Sequence, residues 1–115
     1  MSLQVEHNGR TWHVDYDGFL ISTVGDATLY VSPGEDWYDY VRMKNGIQEL
    51  TFDHIEVLEF YQDYYRNNGI APHIRLVAME VKKTQDSILK LFMPSKNPIL
   101  TIVIMAGLPH PVSCN

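Results

Sequence analysis

One stretch constrains this chain more than any other: LTFDHIEVLEFYQDYYRNNG, residues 50–69. Phe52, Ile55, Leu58, Tyr61 and Tyr65 recur at steps of three and four, while Asp53, Glu56, Glu59, Asp63 and Arg66 fall on the other side. That is the period of a helix with one apolar face and one solvated face. Thr51 suits the N-cap, and Asp53 in the first turn complements the helix dipole. Asn67-Asn68-Gly69 stops the helix, because glycine takes the left-handed backbone of a C-terminal cap. The aromatic stripe reads as core packing and not as a cofactor box, so the rest of the chain must supply its cover.

The N-terminal segment LQVEHNGRTWHVD reads as a β-hairpin, two runs of alternating polarity around the two-residue turn Asn8-Gly9. Asp17-Gly18 marks a second turn, and FLIST is expected to add a third short strand. Two strands alone are marginal in water, so this meander must pack on something. TVGDATLYVSPGED mixes strand formers with Gly25 and the Pro33-Gly34 turn and stays unassigned. SPGEDWYDYVRMKNG predicts a short helix with acids in its first turn and Gly46 at its end. In APHIRLVAMEVKK, Pro72 suits the first helical position, with Ile74, Val77, Ala78 and Val81 facing inward. TQDSILKLFMP predicts a helix capped by Thr84 and stopped by Pro94. NPILTIVIMAG is open between strand and helix: its β-branched residues favour strand, its flanking Asn97-Pro98 and Gly107 favour helix. The tail LPHPVSCN carries two prolines that forbid helix and favour an extended backbone.

At 115 residues the chain suits one domain, and 45% apolar with 20% charged residues is ordinary for a globular protein. Its single cysteine, Cys114, cannot form an internal disulfide. No apolar run reaches the roughly 18–20 residues of a membrane span, and the N-terminus lacks the pattern of a signal peptide. The expectation is a soluble cytoplasmic protein with a reduced thiol and no membrane association. The net charge of −5 is unevenly spread: residues 1–65 hold twelve acids and three bases, residues 66–115 two acids and six bases. One reading is two solvated surfaces; the other is that Cys114 lies in an electropositive half, where positive neighbours favour thiolate over thiol. There is no internal repeat, no glycine-rich phosphate loop and no hydrolase motif. His110 and Cys114 make at most two converging ligands, so neither a metal nor another cofactor is expected. The acidic total and the lack of a dense basic stripe argue against direct nucleic-acid binding through the Lys82, Lys83, Lys90 and Lys96 region.

A set of motifs in order along the chain resembles one family. DGFL at Asp17–Leu20, LTFDH at Leu50–His54, DYY at Asp63–Tyr65, APHIR at Ala71–Arg75, LFMPSKNP at Leu91–Pro98 and AGLPHPVSCN at Ala106–Asn115 are similar to the DsrC/TusE sulfur carriers. The last block, with its penultimate cysteine, is the most specific. The resemblance implies an α+β fold: a small β-meander (1–24) packed on an array of about five helices (35–106), with an extended C-terminal arm (107–115). It also implies that 98–106 is helical. Family members carry sulfur as a persulfide on the penultimate cysteine and present it to partner enzymes, either sulfite reductase or the sulfurtransferases that lead to 2-thiouridine in transfer RNA. The chain departs from the family in several places. Val103 stands where DsrC proper has its second cysteine, Ile55 replaces an aromatic residue, Gln62 a basic one and His110 a lysine, and NPILTI, ending at Ile102, replaces GPAxxA.

What the resemblance implies for function is therefore a sulfur relay on Cys114 with transient sulfurtransferase or sulfite reductase-type partners; the departures leave open a docking or regulatory subunit without turnover. Eight residues beyond Gly107 would reach on the order of 25 Å if extended, and their prolines reduce the entropy lost on ordering. Two residues are expected to support the thiol. Arg75 matches the family arginine of APxIR and could pair with thiolate or persulfide; the competing role is to bond tail carbonyls or a carboxylate. His110 lies about 13 Å from Cys114 in an extended chain and comes near only through a turn at Pro111. His54, in a first helical turn, is read as structural; His7, His13 and His73 are read as surface residues. The chain is expected to be a monomer that air oxidation joins through Cys114 into a disulfide dimer.

Overall fold

The computed structural model describes residues 3–21 and 26–109. Strands β1 (Leu3–His7) and β2 (Arg10–Val14) form an antiparallel hairpin with Leu3 opposite Val14 and Val5 opposite Trp12. Asn8 and Gly9 both have positive φ, 51° and 77°, which matches the right-handed twist of the two strands. Alternation then sends Trp12 and Val14 into the core and leaves Thr11 and His13 exposed. After Asp15, whose carboxylate accepts the Asp17 and Phe19 amides, the chain returns beside β2. Among the described residues the expected third strand is a single bridge, Val14 to Leu20; positions 1–2 and 22–24 of the expected meander lie outside them.

A 3-10 turn at Ala27–Leu29 leads to helices α1 (Glu35–Lys44), α2 (Phe52–Asn68), α3 (Ile74–Val81), α4 (Gln85–Leu91) and α5 (Pro98–Met105). Caps set most of the boundaries. Gly69 closes α2 in the left-handed conformation, and the Thr84 hydroxyl accepts the Ser87 amide at the start of α4. α3 begins two residues later than Pro72 suggests. His73 is its N-cap, Nδ1 accepting the Arg75 amide, so this histidine is a cap as well as a surface residue. α5 resolves the open run as helix. Its β-branched residues are tolerated because Thr101, Ile102 and Val103 are buried on the helix, where packing outweighs propensity.

One continuous cluster of buried side chains runs from Trp12 on the hairpin to Leu108 beyond α5. Trp37 of α1 is fully buried, 5.4 Å from the Trp12 ring and 5.5 Å from Tyr40. α2 contributes Val57, Leu58 and Tyr61. Its inward face is turned from the expected stripe: Phe52 is 85% exposed at the first helical position, Ile55 and Tyr65 are half-buried, and His54 and Gln62 are inside. His54 is satisfied there. Nδ1 accepts from the Thr51 backbone N–H at 2.9 Å, which places the ring proton on Nε2 to donate to the Leu91 carbonyl at 2.5 Å. The start of α2 is thus bolted to the end of α4.

α1 holds the hairpin through polar contacts. His7 Nε2 donates to Asp39 at 2.7 Å, so His7 is partly buried in a pair and is not the free surface residue expected. Arg42 also donates to Asp39 and reaches the carbonyls of Ile47 and Gln48 at 2.9 and 2.8 Å. The two pairings hold the Asp39 carboxyl below its usual range, His7 first and Arg42 second. Among the described residues no helix is long and apolar enough to cross a membrane.

Candidate functional site

The motif AGLPHPVSCN begins inside the core. α5 ends in a double-bonded left-handed turn: the Gly107 N–H donates to Ile104 and the Leu108 N–H to Val103. Gly107 has φ 77°, and Leu108 is buried at 1% exposure. Pro109 is exposed, so the chain reaches the surface there, five residues before Cys114. No other residue fits at 107. A Cβ would lie 2.8 Å from both Cδ and Cγ of Pro33 and 3.3 Å from the Tyr30 hydroxyl.

The preceding carbonyl, that of Ala106, accepts two side-chain donors. One is the Tyr30 hydroxyl from the segment before α1; the other is Gln62 Nε2 from α2, at 3.2 Å. Gln62 also donates to the Tyr38 hydroxyl at 2.7 Å, and that hydroxyl is 2.9 Å from Ser32 Oγ. Two residues back, Trp37 Nε1 donates to the Ile104 carbonyl at 2.8 Å. Tyr30 is itself held. Its ring meets Tyr65 edge-on at 5.6 Å, Arg66 lies over it at 5.2 Å, and Arg66 Nε donates to its carbonyl at 3.1 Å. Burial first, then Tyr38, raise the Tyr30 phenol far above its ordinary range, against the opposing pull of Arg66. Tyr30 therefore stays a protonated donor at any working pH. These groups can orient a backbone; none of them is a nucleophile at neutral pH.

Of the three residues singled out from the sequence, only Arg75 lies among the described residues. Arg75 is the second residue of α3 and exposed; its guanidinium has no partner among the described residues. Cys114 and His110 lie outside the described residues, as does the expected arm beyond Pro109. Val103, where the resemblance leads one to expect a second cysteine in DsrC proper, is buried in α5 at 5% exposure. Among the described residues no group of three His, Cys, Asp or Glu side chains could hold a metal ion. Tyr30, Ser32, Tyr38 and Trp37 at the root of the tail escaped the sequence reading. The available signals were the Pro33-Gly34 turn and Gly107, but each reads as local punctuation, and only the fold shows that they touch.

Comparison with known proteins agrees with this architecture. The family model described as "DsrC like protein" matches residues 6–115. The gamma subunit of dissimilatory-type sulfite reductase from Nitratidesulfovibrio vulgaris is 34% identical over 111 residues, covering 96% of this chain and 97% of that one. Sulfurtransferase TusE of Photorhabdus laumondii subsp. laumondii is 30% identical, over 86% of this chain and 95% of its own length. A chain in the crystal structure of dissimilatory sulfite reductase I (DsrI) superimposes with a TM-score of 0.78 at 33% identity, over 98% of this chain and 100% of that one.

Proposed function

The chain belongs to the DsrC family, and we propose that within it the protein is a one-thiol sulfur relay. Cys114 accepts sulfur as a persulfide and hands it to a partner enzyme of the sulfurtransferase or sulfite reductase type. The observation that carries this reading is AGLPHPVSCN itself: a chain with one cysteine carries it next to last, on a proline-bearing tail that leaves a fixed root at Ala106–Gly107. Likeness to a sulfite reductase gamma subunit and to TusE supports a carrier role.

The chemistry needs little from the domain. The Cys114 thiolate attacks the terminal sulfur of a donor persulfide. A new S–S bond forms on Cys114, the donor's S–S bond breaks, and the donor leaves as thiolate, so the transfer is redox-neutral. Attack by an acceptor thiolate on the same terminal sulfur repeats the exchange and restores Cys114. With one cysteine in the chain, no intramolecular disulfide competes with this cycle. Arg75, exposed and unpaired among the described residues, is the proposed cation for thiolate or persulfide; His110 is the second proposed supporting residue.

Incubation with a persulfide-loaded cysteine desulfurase or with thiosulfate and its sulfurtransferase, followed by intact mass, tests the relay. The expected result is the added mass of one sulfur atom on Cys114, removed by dithiothreitol. An unmodified Cys114 with every donor tried defeats the relay. The buried Val103 at the second-cysteine position favours one other reading, a docking subunit that binds a partner without turnover. Cys114→Ser separates the two: both readings retain partner binding, and only the relay loses sulfur transfer.

A further inference from the structure

A helix end needs few external partners. Its last carbonyls are satisfied by a capping turn or by water. α5 has the capping turn already, and Trp37 adds a donor to Ile104. Yet the Ala106 carbonyl, two residues further, receives two more donors, from residues 76 and 44 positions away in sequence. The next residue is pressed against Pro33 and the Tyr30 hydroxyl so closely that only glycine fits. This is more constraint than ending a helix requires.

The constraint falls on one peptide plane. The Ala106 carbonyl and the Gly107 N–H lie in the same rigid unit. Tyr30 and Gln62 hold its oxygen, and Ile104 holds its N–H at 3.0 Å. We propose that Tyr30 and Gln62 are positioning residues for Cys114: by fixing the Ala106–Gly107 peptide they set the direction in which the thiol-bearing tail leaves the domain. This rests on the relay reading of Cys114. For a chain that ran on extended, a rotation of about 10° at its root would displace a point about 20 Å along it by roughly 3–4 Å, as large as the approach distance of reacting atoms. Gln62 couples this peptide to α1 as well, through Tyr38 and Ser32, so the tail's exit direction is tied to the elements that carry the hairpin.

Tyr30→Phe removes one hydroxyl and keeps the ring on Tyr65 and under Arg66. Gln62→Met keeps length and removes the amide. The single native cysteine lets a maleimide dye sit on Cys114 alone, and time-resolved anisotropy then reads the angular range of the tail. The residual anisotropy is expected to fall in each variant and further in the double variant. It is expected to stay at the wild-type value in His54→Ala, which loosens α2 at its other end. In unlabelled protein, the turnover of sulfur transfer to Cys114 should drop by about tenfold, with the half-saturating donor concentration unchanged. Wild-type anisotropy in Tyr30→Phe and the double variant overturns the proposal. So does an equal fall in His54→Ala, which would mark general loosening. If wild-type Cys114 takes up no sulfur, the relay reading fails separately, and the anisotropy still decides the positioning role.

Discussion

Helix α2 carries two buried polar side chains two turns apart. His54 and Gln62 are each 4% exposed, and each is satisfied by hydrogen bonds. Their partners differ in kind. His54 bonds its own N-cap and the last residue of α4, so it joins two helices that pack whatever the protein does. Gln62 draws together the segment before α1, α1 itself and the Ala106 carbonyl just past α5. Equal burial on one helix face therefore serves two ends. One polar contact joins two helices; the other holds the Ala106–Gly107 peptide, on which the proposed positioning role rests.

The strongest test of that division is Gly107→Ala. The added methyl meets the Pro33 ring at 2.8 Å, and φ 77° strains any L-residue. Strain and forced repacking together are expected to cost about 2–4 kcal/mol by chemical denaturation. Under conditions where the variant is folded, sulfur transfer to Cys114 should fall as well. His54→Ala comes next, at about 2 kcal/mol, since the Leu91 carbonyl and the Thr51 N–H lose their partner. Its transfer rate per folded molecule should match wild type. A Gly107→Ala protein that transfers normally, or a His54→Ala protein that does not, would erase the distinction between the two ends of α2.

The features legible in the sequence were those decided locally. Thr84 and Gly69 act within one turn of themselves, and Asn8-Gly9 closes a hairpin whose strands flank it, so each could be read in place. The buried face of α2 differs from the apolar stripe by part of a turn because Phe52 begins the helix and is 85% exposed, while Val57 and Gln62 complete the buried side. Polar residues in a core are invisible to a hydrophobic pattern when their partners are distant: Leu91 is 37 residues from His54, and Ala106 is 44 from Gln62. His7 is the same case, its partner Asp39 lying on another element. The run 97–107 was undecidable by residue type, and burial on α5 decided it against β propensity.

Asp39 extends the comparison to a polar contact at the surface. Its carboxyl is held below the ordinary value of 3.8 by His7 and then by Arg42. A depressed folded pKa contributes stability that is fully present above the unfolded value and is lost as pH falls through the folded one. Acid titration of the denaturation midpoint should show this loss below pH 3.8, and Asp39→Asn should flatten it. Because the Asp39 side chain is 37% exposed, the effect should be smaller than that of His54→Ala and should shrink further with added salt. An acid limb unchanged by the substitution would mean that His7 and Arg42 hold the hairpin to α1 without help from this carboxylate.

Phe52 should give the smallest effect, and it tests whether the His54 end of α2 is structural alone. At 85% exposure the ring has little to lose, so Phe52→Ser is expected to shift stability by less than about 0.5 kcal/mol. The same Tm should be found for the wild-type protein at low and high concentration, because an exposed ring that stays exposed gains nothing from association. A larger loss in Phe52→Ser, together with a wild-type Tm that rises with concentration, would show that a second molecule covers this end. The start of α2 would then have a binding duty of its own, and the contrast with Gln62 would no longer be one of structure against function.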